Sequence, residues 1–178
     1  MTLVESPNRI LIAGIGNIFL GDDAFGSEVA RRLATQSWPT GVRVTDFGIR
    51  GIDLAYAIMD GYDLTILIDA TQQGGQPGTL YVIEPDVSEF REGHACTLQF
   101  DGHTMDPLKV LQTVCAMGGS CERIILVGCE PADLGGDEGR MGLSEPIKIA
   151  VDDACQTIRS LVETFLRNHH SQVTTGGR

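Results

Sequence analysis

Two short runs, Leu64-Thr65-Ile66-Leu67-Ile68 and Ile124-Ile125-Leu126-Val127, set almost only apolar, mostly branched side chains at consecutive positions. Successive side chains of an extended strand point to opposite faces, so a run that is apolar throughout must be covered on both sides. That requirement favours a largely parallel sheet with helices packed on each face. Three more strand-sized segments, Ile10 to Ala13, Val42 to Phe47 and Thr79 to Ile83, share the character. Between the five lie stretches with apolar residues three and four apart, at Ala24 to Thr35, Ile52 to Met59, Pro107 to Met117 and Glu145 to Arg167. The alternation predicts an α/β fold, a three-layer sandwich with a five-stranded sheet and helices on both faces. The connection from Asp69 to Leu80 is too short for a crossover helix and contains Gly74-Gly75-Gln76-Pro77-Gly78. The fourth strand is therefore expected to run antiparallel to the third, which makes the sheet mixed.

A chain of 178 residues with 42% hydrophobic content can bury one good core but not comfortably two. A single domain over residues 1–167 is expected, followed by a polar, flexible tail at 168–178. The 13 Lys and Arg against 24 Asp and Glu leave a formal charge of −11, which argues against a nucleic-acid or anionic-membrane partner. Five cysteines, Cys96, Cys115, Cys121, Cys129 and Cys155, form no CxxC pair. An odd, unpaired set reads as buried thiols of a reducing compartment rather than as a disulfide framework or a four-thiolate zinc site. No apolar run approaches the ~20 residues that a bilayer crossing needs, so a cytoplasmic, soluble protein is expected.

In open α/β sheets ligands bind beyond the carboxyl ends of the parallel strands, so polar residues that end apolar strands are the candidates. After the first strand comes Gly14-Ile15-Gly16-Asn17-Ile18-Phe19-Leu20-Gly21-Asp22-Asp23-Ala24-Phe25-Gly26, with two carboxylates at a helix entry. The plainest role for an acid there is to cap the helix, for which one suffices. After the second strand come Asp46, Gly48 and Gly51, and after the third Asp69; His103 follows an irregular stretch, and Cys129-Glu130 ends the fifth strand. Asp69, directly beyond Ile66-Leu67-Ile68, must find a cation, water or a donor, or else cap the Thr71-Gln72 turn. Asp23, Asp69 and His103 are far apart in sequence and can meet only through the fold. Two carboxylates and an imidazole suit a borderline divalent ion such as nickel or zinc, with positions left open for water or substrate. No GxSxG elbow or HExxH helix occurs, and His94 is too near Cys96 in sequence to argue for a thiol-imidazole pair. A dinucleotide site competes at Gly14-x-Gly16, but Phe19 stands where that fingerprint needs a small residue, and two acids would repel a pyrophosphate.

With these residues laid out, the chain resembles the [NiFe]-hydrogenase maturation endopeptidases from about Arg9 to Leu166. The resemblance rests on Gly14-x-Gly16-Asn17 with Gly21-Asp22-Asp23 and Gly26, on Asp46-x-Gly48 followed by Gly51, on Asp69-Ala70, on Pro77-Gly78-Thr79, and on His103 just before a helix. It implies a twisted mixed sheet of five strands sandwiched between helices. It also implies removal of a C-terminal extension from a [NiFe]-hydrogenase large-subunit precursor after nickel insertion. The metal-contacting residues carried over are Asp23, Asp69 and His103, with Asp23 and Asp69 the catalytic candidates and Asp22 a neighbour rather than a ligand. Nickel then arrives with the substrate precursor, and no organic cofactor is implied. The second loop, Asp46-Phe47-Gly48-Ile49-Arg50-Gly51, departs from the Asp-Gly-Gly-Thr of many members, and Arg50 is assigned there to a carboxylate or carbonyl of the partner. A noncatalytic nickel-sensing chaperone of the precursor would use the same ligands and is the alternative reading. Partner contacts are expected in Ser88 to Gly102 and Gly135 to Gly142.

Overall fold

The computed structural model describes residues 8–86, 106–136 and 138–175, with the side chains characterised as far as residue 169. Its strands are β1 (Ile10–Ile15), β2 (Val42–Gly48), β3 (Leu64–Ala70), β4 (Leu80–Ile83) and β5 (Ile124–Cys129). The helices are α1 (Phe25–Ala34), α2 (Gly51–Met59), α3 (Pro107–Ala116) and α4 (Glu145–Thr175), and a 3-10 turn over Gly21–Ala24 precedes α1. The five strands form one sheet in the order β2-β1-β3-β5-β4. All neighbours are parallel except β4, which pairs antiparallel with β5.

The runs that are apolar at every position behave as predicted. Ile10, Ile12, Ile66 and Ile68 pack with Phe25, Val29 and Leu33 of α1 and with Ile147, Val151, Ile158 and Val162 of α4. Their sequence neighbours Leu11, Ala13 and Leu67 face the other way, onto Leu54 and Ile58 of α2 and Val110, Leu111 and Val114 of α3. Two cores thus share one sheet, the arrangement that a period of two imposes on a strand buried on both sides.

β4 runs antiparallel to β3, as expected, although the two are not neighbours: β5 lies between them and pairs with both. The nine residues between β3 and β4 are too few for a helix yet enough to step past one strand position. The last helix, expected to stop at Arg167, runs to Thr175, so residues 168–175, read as a flexible tail, are helical backbone. Nothing in Asn168 to Thr175 breaks a helix, whereas Gly176-Gly177 follows at once.

Asp106 and Pro107 begin α3 as anticipated: the Asp106 carboxylate accepts from the Leu108 N–H at 2.9 Å, and Pro107 occupies the first turn. Gly26, one residue into α1, decides how close that helix comes to the sheet. A Cβ there would lie 2.1 Å from the Ile68 carbonyl oxygen of β3 and 2.2 Å from that of Ile15 in β1. Both obstacles are backbone in the middle of the sheet and cannot move aside. Gly26→Ala should lower unfolding free energy by ~3 kcal/mol, read as a lower urea midpoint at unchanged slope.

Candidate active site

Strands β1, β2, β3 and β5 are parallel and end at one rim of the sheet, at Ile15, Gly48, Ala70 and Cys129. The turn after β1 closes through Asn17: its N–H donates to the Asp23 carboxylate at 2.7 Å, and its side-chain oxygen accepts from the Phe19 N–H at 3.0 Å. Gly16, at a φ of 144°, permits this closure, since a Cβ there would lie 1.8 Å from the Asp23 carbonyl oxygen. Neither Asp22 nor Asp23 caps α1, which has no side-chain cap at all. The capping role expected of one of them is filled by neither, because the 3-10 turn intervenes and turns both side chains to other partners.

Asp22 is 1% exposed. One of its oxygens accepts from the Ala132 N–H at 2.9 Å, the Asp133 N–H at 2.8 Å and the Ser144 hydroxyl at 2.9 Å, and the other from the Ser144 N–H at 2.6 Å. Asp46, the acid ending β2, is also committed: it accepts from the Gly48 N–H and pairs with Arg31 at 3.1 Å. Arg50, assigned from sequence to a partner's carbonyl or carboxylate, donates within this chain to the carbonyls of Asp46 and Phe47 in its own turn.

The turn after β3 is held from β5. Glu130 is buried and accepts from the N–H groups of Gln73 at 2.7 Å and Gly74 at 3.2 Å and from the Tyr81 hydroxyl at 2.9 Å. The Gln73 N–H above all keeps its carboxyl below the usual range. No local sequence signal marks this role, since its partners lie on two other segments. Glu130 holds the turn for which Asp69 had been the alternative cap, which leaves Asp69 for other work.

Asp69 is 7% exposed. Burial holds its carboxyl well above the ordinary value of 3.8; the charge of Asp23 adds to that and the charge of Asp106 less so, against the Ala70 N–H. Asp23 is raised too, by burial opposed by the Asn17 N–H. Each is thus a carboxyl with costly charge, and Asp69 feels the charge of Asp23. Asp106 was read only as a cap, and its electrostatic contact with Asp69 has no local signature because helix α3 lies on the face to which Asp69 points. His103 lies outside the described residues, as does Ser88 to Gly102. Among the described residues no group of three His, Cys, Asp or Glu is arranged to hold a metal ion. Cys129, at the end of β5, is pushed up to about 12 by burial and by the nearby Asp22 and Glu130. It stays a thiol at neutral pH and is no nucleophile.

Residues 27–161 match the family model described as hydrogenase maturation protease. The chain belongs to the hydrogenase maturation protease family. The hydrogenase expression/formation protein HupD of Rhodobacter capsulatus is 31% identical over 158 residues, which span 86% of this chain and 73% of that protein. A putative hydrogenase maturation protease of Methanocaldococcus jannaschii is 31% identical over 157 residues, 84% of this chain and 93% of the relative. The crystal structure of a hydrogenase 2 maturation peptidase from a Thaumarchaeota archaeon superposes with a TM-score of 0.68 at 28% identity, covering 88% of this chain and 99% of that one. The enzyme is a peptidase with the mixed five-stranded α/β fold of that family. A dinucleotide site at Gly14-x-Gly16 is set aside, since the turn that would face a pyrophosphate instead carries Asp23.

The raised Asp69 carboxyl has a consequence for stability. A group that binds its proton more tightly when folded contributes stability that is full below its unfolded pKa and lost as pH rises through the folded one. In the metal-free enzyme, Asp69→Asn should therefore be more stable than the parent at neutral pH. Urea melts should show that gap shrink as pH falls toward 3.8.

Proposed function

We propose that the enzyme removes the C-terminal extension of a [NiFe]-hydrogenase large-subunit precursor once nickel has been inserted, and that Asp23, Asp69 and His103 recognise the nickel the precursor carries. The observation that supports this reading is that Asp69, buried at the strand end, feels the charge of Asp23. A 7%-exposed carboxyl beside a second one is costly on its own, and a divalent ion presented at that spot relieves both burial and repulsion. Oxygen donors with one imidazole form an incomplete shell, which suits an ion still held by the substrate. Family membership and the relatives' names support the processing role.

In this reading nickel is part of the substrate, and its presence decides affinity. A precursor lacking the ion meets two carboxylates without compensation and loses the contacts that bridge it to the rim, so only the loaded precursor is held long enough to be cut. The chemistry of the chain's own residues is general acid-base catalysis. A raised carboxylate at Asp23 or Asp69 takes a proton from water as its oxygen bonds to the scissile carbonyl carbon. The same group returns the proton to the amide nitrogen as the C–N bond breaks, leaving a new carboxylate and a free amine. The bound ion orients the peptide for that attack.

Asp23→Asn, Asp69→Asn and His103→Ala should each remain folded and lose processing of nickel-loaded precursor by at least about a hundredfold. Mass spectrometry of the released peptide, with nickel-loaded and nickel-free precursor run side by side, checks this. Release from the nickel-free precursor at the same rate, or cleavage by all three variants, overturns the reading.

A further inference from the structure

Asp22 has no part in that chemistry, yet it is among the most thoroughly bonded side chains of the molecule. Its four acceptor contacts reach residues 132, 133 and 144, so it fastens the segment between β5 and α4 onto the loop that leads to Asp23. The backbone continues the seam. The Gly21 N–H donates to the Arg140 carbonyl at 2.6 Å, the Asp22 N–H to the Asp133 carbonyl at 2.8 Å, and the Arg140 N–H to the Phe19 carbonyl at 2.9 Å. Leu20 and Arg140 pair as a parallel bridge. Within the segment, Asp133 and Arg140 pair with each other at 2.7 Å.

Two surface loops joined in this way hold their side chains in fixed directions, and several of these are apolar and open. Phe19 is 59% exposed, Met141 71% and Leu134 36%. They flank the seam, and Phe19 and Met141 are each one residue from its paired positions, Leu20 and Arg140. Exposed apolar groups on a stiff support lose little further entropy on being covered, which is the property of a recognition surface rather than of a loose loop.

We propose that Asp22 is a positioning residue, and that the seam it holds presents Phe19, Leu134 and Met141 as the docking surface for an apolar stretch of the precursor polypeptide adjoining the scissile bond. The occupant follows from continuity: the loop that carries Phe19 runs through Leu20, Gly21 and Asp22 directly into Asp23, where a peptidase must hold its substrate chain. This rests on the assignment of Asp23 to the reacting site made above. Contacts of this kind act on ground state and transition state alike, so they lower KM and leave kcat alone.

The test is steady-state cleavage of nickel-loaded precursor by wild type, by the surface double variant Phe19→Ser/Met141→Ser, and by Asp22→Asn. Cleavage by wild type is the control for the processing reading; if it is absent, that reading has failed. Given that control, the double variant should raise KM by about tenfold or more and keep kcat within about threefold. An unchanged KM, or a fall in kcat at constant KM, overturns the docking surface. In Asp22→Asn an amide N–H replaces an acceptor facing backbone and hydroxyl donors. A raised KM with the melting temperature lowered is expected, and restoration of KM by Asp22→Glu but not by Asp22→Asn would mark the carboxylate as the positioning element. The double variant changes only exposed side chains, so its result decides the matter should Asp22→Asn fail to fold.

Discussion

The feature on which the rest depends is the close approach of α1 to the middle of the sheet at Gly26. With no side chain in the way, the helix backbone comes into contact with the carbonyls of Ile15 and Ile68, near the ends of two neighbouring parallel strands. Asp23 lies three residues before that contact and Asp69 one residue after it. Hard-core repulsion between backbone atoms thus limits how closely the start of α1 approaches the end of β3, where Asp69 feels the charge of Asp23. A larger residue at 26 would part them without touching either one.

Around that pair the acids divide their work. Asp22, Asp46 and Glu130 are spent on N–H donors, each closing a different loop of the rim. Glu130 holds the turn after β3 and Asp22 the segment before α4, so the strand ends are held by carboxylates whose charge backbone and hydroxyl donors satisfy. Asp23 and Asp69 differ in being raised by burial, and Asp69 also by its neighbours' charge. Acids that look alike in sequence therefore differ in whether their negative charge is already satisfied, and the catalytic and nickel-binding roles proposed above are given to those in which it is not.

Burial also explains the silence of the cysteines. Among the described residues, Cys121 and Cys129 are buried and Cys115 and Cys155 partly so, all four as thiols outside any disulfide. Burial raises the Cys129 thiol, and a weaker shift in the same direction acts on Cys155. Cys121, Cys129 and Cys155 fill space in the packing.

Local chemistry was legible wherever a single segment carries it. Apolar runs on both faces required a covered parallel sheet and Asp106-Pro107 required a helix start; both hold because their causes lie within a few residues. The partner of β4, the hold of Glu130 on the turn after β3, and the use of Arg50 on its own carbonyls could not be read, because each depends on which segment lies alongside. The same is true of the two adjacent acids. Sequence alone determined that Asp22 and Asp23 stand at a strand-to-helix turn, but only the tertiary structure decided that Asp22 bonds to a distant segment while the charge of Asp23 is felt at Asp69. Hydrogen-bond donors and opposing charges act through space, and a chain folded into layers brings them from wherever its strands happen to end.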